Sequence, residues 1–275
     1  YYAKYTAEYK VSYNLAGGKF SDDSTSAEEK HNADTTVTVK EEPTRAGCKF
    51  IGWTVEGLGT TTTLDSGETF TMPNRDVTLT AKWEEQKIEE FLTLVPKDVS
   101  KPYDGTELQA GTAKVTGKVE GADTAGVKIE YSLNGRDWTT NPSEITATNV
   151  SDSKTVQVRA TSEKYTGELT GTEELTITPK PVTITTESKT RAFDGTALTA
   201  GGKVEGIVSG ETYGFKTTGS QTYVGSSQNT YEMVWADSEV EGTSGTYTAK
   251  KTNYTVTESI GTLVVTAGTP ENPLD

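Results

Sequence analysis

Ser100-Lys101-Pro102-Tyr103-Asp104-Gly105-Thr106-Glu107-Leu108 returns further along the chain as Thr190-Arg191-Ala192-Phe193-Asp194-Gly195-Thr196-Ala197-Leu198. Tyr103 and Phe193 stand 90 residues apart. An aromatic-Asp-Gly-Thr-x-Leu run that recurs at the spacing of a small domain is an internal repeat, and it marks a modular, architectural chain. Within each copy the pattern reads as a turn. Asp closes it with its own carboxylate, and Gly supplies a backbone angle that other residues avoid. The aromatic before and the Leu after are expected to pin the turn to a core. Tyr103, Asp104, Gly105, Phe193, Asp194 and Gly195 are therefore read as structural turn residues rather than ligand contacts.

The rest of the composition agrees with small β modules. The 275 residues suffice for two or three domains. Thr, Gly, Val and Tyr recur in short alternating runs, which favours strands over helices. Four Trp and thirteen Tyr can anchor several small cores. The net charge of −14 disfavours nucleic acid and anionic membrane as partners, since both need a basic face. Cys48 is the only cysteine, so no intramolecular disulfide forms, a count that fits a Cys-poor secreted bacterial protein and a cytosolic one alike. No apolar run approaches the ~18 residues of a membrane span. Nothing in the sequence points to an oligomer.

Taken in order, residues 1–9 read as the end of a preceding module, because Tyr2-Ala3-Lys4-Tyr5 parallels Thr80-Ala81-Lys82-Trp83. The chain is thus expected to be a segment of something longer. Residues 10–86 form a first full module, with strands expected at Lys10–Leu15, Val37–Val39, Phe50–Val55 and Val77–Trp83. The polar stretch Ser21–Asn32 reads as one short helical turn or a loop. Glu84-Glu85-Gln86-Lys87 is a charged connector. The second module, 87–179, opens on a strand at Phe91–Val95 and carries a clean alternation at Val127–Leu133. Asn134-Gly135 follows, the signal for a two-residue type I′ hairpin with Trp138 on its return strand. Pro179-Lys180-Pro181 predicts an extended, semi-rigid join. The third module runs over 180–267, and 268–275 is a linker.

Val11-x-Tyr13-Asn14-x-x-Gly17-Gly18, then Pro43-Thr44-Arg45-x-Gly47-Cys48-x-Phe50-x-Gly52-Trp53, then Asp76-Val77-x-Leu79-x-Ala81-x-Trp83 resembles the Listeria–Bacteroides repeat. One departure is Cys48, where that family usually has an aromatic. The resemblance implies a small β-grasp-like fold in an array on a bacterial surface protein. Phe193-Asp194-Gly195-Thr196, Val208-Ser209-Gly210, Thr218-Gly219-Ser220-Gln221, Asn253-Tyr254 and Gly261-Thr262-Leu263 resemble the Tyr-Asp-Gly (YDG/MBG-type) Ig-like repeats of bacterial surface proteins. The second module shares the Tyr103 motif but lacks a clear Thr-Gly-Ser-Gln stretch. This resemblance implies Ig-like stalk modules that hold a working domain away from the cell wall.

Catalytic constellations are scarce. His31 is the sole histidine, in a polar stretch with no nucleophile motif beside it. Cys48 reads as a buried small residue. Paired carboxylates such as Asp22-Asp23 and Glu28-Glu29 read as solvated faces, since glycosidase chemistry needs two acids across a cleft. Asp22, Asp23 and Asp34 offer hard oxygens for calcium, without EF-hand spacing. No other cofactor is implied. Trp53, Trp83, Trp138 and Trp235 lie in strand-like runs and read as core. Tyr213 and Tyr223 sit among Gly and Thr and are the candidate ligand residues.

The sequence therefore predicts a mostly β chain of elongated shape: a β-grasp-like module followed by two Ig-like β-sandwiches. It is expected to be extracellular, on a bacterial surface, and not an enzyme. A stalk role, within an adhesin or otherwise, stands beside direct binding of glycans, mucin or host surface proteins.

Overall fold

A computed structural model describes residues 7–238 and 246–268. The expectation carried by Tyr2–Tyr5, and most of the linker (269–275), lie outside the described residues. The fold is mostly β, 49% strand and 5% helical. The described residues fall into two compact units, one holding 7–96, 112–140 and 157–172, the other 97–111, 141–156, 173–238 and 246–268.

In the first unit a five-stranded sheet runs in the order Ser26–Asn32, Glu8–Asn14, Val77–Glu85, Cys48–Glu56, Thr62–Leu64. Glu8–Asn14 and Val77–Glu85 are parallel and its other neighbouring pairs antiparallel. Alternation sets the buried face: Val11 and Tyr13 point in while Lys10 and Asn14 point out, and Val77, Leu79 and Ala81 line up beside them. A second pairing, Thr36–Thr38 with Thr69–Thr71, adds Val37 and Phe70 to the same core. Trp53 lies at its centre, with no exposed surface. The strand that carries it is bulged between Phe50 and Trp53. Gly52, at φ +114°, supplies the left-handed backbone there. The extra residue lets Phe50 and Trp53, three apart, present rings to each other at 5.3 Å. A regular strand would have sent them to opposite faces.

Ser26–Asn32 is a strand, not the helical turn or loop expected from its polarity. It is the edge of the sheet, paired along its length with Glu8–Asn14, and His31 lies opposite Tyr9. An edge strand with both side-chain faces near water needs no apolar alternation, and charged residues suit it. Lys10 bridges Glu28 at 2.8 Å and Lys40 bridges Glu29 at 2.6 Å.

The connector after this module is tied down by backbone hydrogen bonds. Gln86 N–H donates to Gly47 O at 2.9 Å, Thr166 N–H to Gln86 O at 2.8 Å, and Ile88 N–H to Thr166 O at 2.8 Å. The strand expected over Phe91–Val95 is shorter, Leu92–Val95, because Ile88–Phe91 forms one helical turn. That turn puts Ile88 and Phe91 on one side against Tyr165, with Phe91 stacked on it at 5.1 Å. Leu92–Val95 pairs antiparallel with Lys114–Gly117.

The Asn134-Gly135 hairpin is not formed. Gly135 has φ +71°, but Asn134 does not share the positive φ that a type I′ turn needs. Side chains take the turn's N–H groups instead. Ser132 Oγ accepts from Gly135, and Asn134 Oδ1 accepts from Arg136 and Asp137, each at 2.9 Å. The chain opens into a wider loop whose return touches back through one bridge, Tyr131 to Thr139. The strand Lys128–Ser132 finds its full partner in residues 157–161.

In the second unit, Val99–Pro102 runs parallel to residues 175–178. The repeat shows in the same element one copy later, where Lys189–Ala192 runs parallel to Thr262–Thr266. Tyr103 N–H donates to Thr178 O at 2.8 Å, and Phe193 N–H to Thr266 O at 2.9 Å. Lys180–Thr186 is the middle of a three-stranded sheet between Gly202–Glu205 and Tyr254–Ser259. Pro179 alone separates Leu169–Thr178 from this strand. Pro181 lies inside it, outside the Thr183–Thr186 span paired with Gly202–Glu205, so its missing N–H removes no bond from that ladder.

Candidate functional site

Both Asp-Gly turns close by the same chemistry. Asp104 Oδ1 accepts from Thr106 N–H at 2.9 Å and Thr106 Oγ1 at 2.7 Å. Asp194 Oδ1 accepts from Thr196 N–H at 2.9 Å and Thr196 Oγ1 at 2.8 Å. Gly105 and Gly195 take φ +78° and +79°. A cation three residues before each Asp completes the set, Lys101 at 2.8 Å and Arg191 at 2.9 Å. Lys101, with Thr106, holds the Asp104 carboxyl well below the usual range. The two Thr196 donors, with Arg191, lower that of Asp194. In each turn the cation and both Thr donors converge on the Asp Oδ1. Asp194→Ala is expected to speed amide exchange at Thr196 by roughly tenfold, readable by NMR, with Asp194→Asn nearer the parent. A depressed carboxyl stabilises above its unfolded pKa and loses that effect as pH falls, so the difference between parent and Asp194→Ala shrinks in acid.

The aromatics ahead of the two turns part company. Tyr103 is 4% exposed, as its pinning role requires, but Phe193 is 45% exposed and is not pinned to its own module's core. Tyr103 meets the edge of Tyr254 at 5.5 Å. Its hydroxyl donates to Glu211 Oε1, and the Tyr254 hydroxyl donates to Glu211 Oε2. Tyr254 also accepts from Val208 N–H at 3.1 Å. Burial and then Glu211 push the Tyr103 hydroxyl up to about 12 and raise Tyr254 for the same two reasons. Asn253, fully buried, bridges back to Asn149 at 2.9 Å and accepts from Val150 N–H at 2.9 Å. This cluster joins the Tyr103 turn to the third repeat. Sequence reasoning missed Glu211, since nothing in its local pattern distinguishes it from the other acids.

The candidate ligand residues are not brought together on one sheet. Tyr223 is 75% exposed, beside exposed Val224, in the loop ahead of Gly225–Gln228. Tyr213 is half-buried at the entry to Gly214–Thr217, a strand of a different sheet. Among the tryptophans, Trp53 and Trp235 are core, whereas Trp83 and Trp138 are only half-buried, against expectation. Trp83 packs against the first core beside Phe50 at 5.6 Å, with its indole N–H donating to Leu15 O at 3.0 Å. Trp138 follows the opened loop and is covered on one face by the Arg159 guanidinium at 4.1 Å.

A cleft of about 1120 Å³ in the third repeat is lined by Tyr231, Trp235, Asp237, Lys251 and Glu258 among others. Its acids are engaged: Glu258 accepts from Tyr231, and Asp237 from the N–H groups of Lys251 and Thr252. Asp22 is taken by Ser24, and Asp23 by Lys19 at 2.6 Å. Among the described residues no group of three or more His, Cys, Asp or Glu is placed to hold a metal ion. His31 contacts Glu29 at 3.2 Å on the sheet edge. Cys48 is half-buried at the start of its strand rather than buried. Glu173, almost fully buried, accepts from Lys97 N–H at 3.1 Å, and burial raises its carboxyl.

Small β modules, repeated turns and a buried joint define a modular β protein. Residues 9–82 match the Listeria-Bacteroides repeat domain, a repeat domain of bacterial surface proteins. No curated protein matches the chain. No helix among the described residues is long and apolar enough to cross a membrane.

Proposed function

We propose that this chain is a structural spacer on a bacterial surface, a run of β modules that presents a working domain rather than acting itself. The observation that carries this reading is the Tyr103–Glu211–Tyr254 cluster. It spends a repeated motif, two buried hydroxyls and a carboxylate on holding one repeat to the next. In the finer form of the reading, residues 10–86 are a β-grasp-like Listeria–Bacteroides module and residues 87–179 and 180–267 are YDG/MBG-type Ig-like repeats, extracellular and without enzymatic activity. Small-angle scattering on the purified chain tests it. A spacer gives an elongated particle, and a compact one would sink the proposal.

A second reading is favoured by Tyr223, whose exposed ring lies beside exposed Val224. Aromatic faces with an open approach suit sugar rings and protein partners. On this reading the third repeat binds glycans, mucin or a host surface protein directly, as part of an adhesin. Binding to an array of mucins, polysaccharides and matrix proteins, with and without calcium, separates the two. Saturable binding lost in Tyr223→Ala establishes the second reading, and silence across the array leaves the spacer.

A further inference from the structure

The internal repeat carries a second correspondence, at two points flanking the Asp-Gly turns. Lys97 and Gly111 of the second repeat stand 90 residues before Glu187 and Gly201 of the third. In the third repeat the fully buried Asn229 ties these points together, its Nδ2 donating to Glu187 O at 3.0 Å and to Gly201 O at 3.2 Å. In the second repeat the same two points meet Glu173, which is 1% exposed. Lys97 N–H donates to its Oε2 at 3.1 Å, and the N–H of Gly111 also favours its charged form. One oxygen of each buried side chain, Glu173 Oε1 and Asn229 Oδ1, has no hydrogen-bond partner among the described residues. Glu173 can carry a proton there, and Asn229 cannot.

Alternation on Leu169–Thr178 turns Glu173 to the same face as Leu175 and Ile177, both buried. A carboxylate in that setting is costly unless a cation pairs it. The charge that acts on Glu173 is instead that of Asp98, of the same sign. Asp98 accepts from Glu174 N–H at 2.8 Å, and Glu174 accepts from Thr155 Oγ1 at 2.9 Å. The charged groups of the flanking elements turn to other partners. Lys101 bridges Asp104 at 2.8 Å, Arg159 bridges Glu130 at 2.9 Å, Lys154 donates to Thr146 O at 2.8 Å, and Asp152 accepts from Asn149 N–H at 2.8 Å. Lys97 and Glu107 are exposed.

We propose that Glu173 is a proton-operated latch: it holds a proton in the folded second repeat, and losing that proton loosens the joint between Lys97 and Gly111. Acid tightens this joint, while the corresponding joint of the third repeat, latched by an amide, does not respond. The sign follows from burial, which raises the Glu173 carboxyl above its ordinary 4.5. A raised acid binds its proton more tightly folded than unfolded. Its stabilising effect is therefore full below the unfolded value and is lost as pH rises through the folded one. The depressed carboxyls of the Asp-Gly turns run the other way, so the comparison with a variant at Glu173 isolates the latch.

Carbon-13 NMR of the chain tests the proton directly. The Glu173 carboxyl, assigned through its own backbone amide, should titrate above 4.5. Amide exchange, corrected for its intrinsic pH dependence, reads the latch. Protection at Lys97 and Gly111 is expected to fall about tenfold as pH rises across that titration, and to stay level in Glu173→Gln. Glu187, whose N–H donates to Gly201 O at 2.8 Å, should keep the same protection throughout in both chains. A Glu173 carboxyl that titrates at or below 4.5 would overturn the proposal. So would protection at Lys97 that does not change with pH, or a fall that persists undiminished in Glu173→Gln. The parental titration decides the question even where that variant does not fold.

Discussion

Trp53→Ala is expected to unfold the first module and leave the third repeat intact. The side chain has no exposed surface and packs against Tyr13 at 5.3 Å, Phe20 at 6.0 Å and Phe50 at 5.3 Å. Its indole N–H reaches Ser66 Oγ at 3.3 Å. Removing a buried Trp costs ~3–5 kcal/mol, the lost transfer free energy plus the cavity left behind. A module of this size has little more than that to lose. The neighbouring rings cannot collapse into the space, because the bulge at Gly52 fixes Phe50 and the parallel strands fix Tyr13. Exchange mass spectrometry would show residues 9–82 at unfolded rates, with the amides of 180–267 unchanged. Retention of protection over 9–82 would mean the core lies elsewhere. Trp53→Phe, which keeps an aromatic in the cavity, should lose roughly half as much.

Glu211→Ala is expected to release the joint at the Tyr103 turn. One carboxylate accepts from two tyrosines that are both almost fully buried. A hydrogen bond to a charged group contributes ~1.5–3 kcal/mol, and an abandoned buried hydroxyl carries its own desolvation cost. The variant should lose ~3–5 kcal/mol in urea unfolding of the unit, and Glu211→Gln, which keeps an acceptor, should lose less. The pH dependence has a definite sign. Tyr103 is raised from 10.0 to about 12. A raised group stabilises fully below its unfolded pKa and loses the effect as pH rises through the folded one. Parental stability should therefore decline from about pH 10 to about pH 12. The decline should be shallower in Glu211→Ala, though still present, because burial is the larger cause of the shift. An alkaline limb identical in parent and variant would show that the carboxylate does not hold the tyrosines.

Much of the fold was legible because burial leaves a period in the sequence. Val11 and Tyr13, then Val77, Leu79 and Ala81, alternate as half-buried strands must, and they became the centre of the first sheet. The Asp-Gly turns were legible because their chemistry is local: a carboxylate reaching two residues ahead and a glycine with positive φ need no distant partner. The reading failed in two places, once to a strand partner outside the segment and once to side chains inside it. Ser26–Asn32 has the composition of a loop and is a strand because Glu8–Asn14 offers it a free edge. Asn134-Gly135 has the composition of a hairpin and is a wide loop because Ser132 and Asn134 capture the turn's N–H groups.

The sequence by itself determined the repeat, the turn at each Asp-Gly and the β character of the chain, all products of short-range sterics and of alternation. Only the tertiary structure decided that Tyr103 is buried and Phe193 bare. Two turns of the same local geometry differ there because burial belongs to the surface a residue meets, and Glu211, Asn253 and Tyr254 are brought to Tyr103 from more than a hundred positions away.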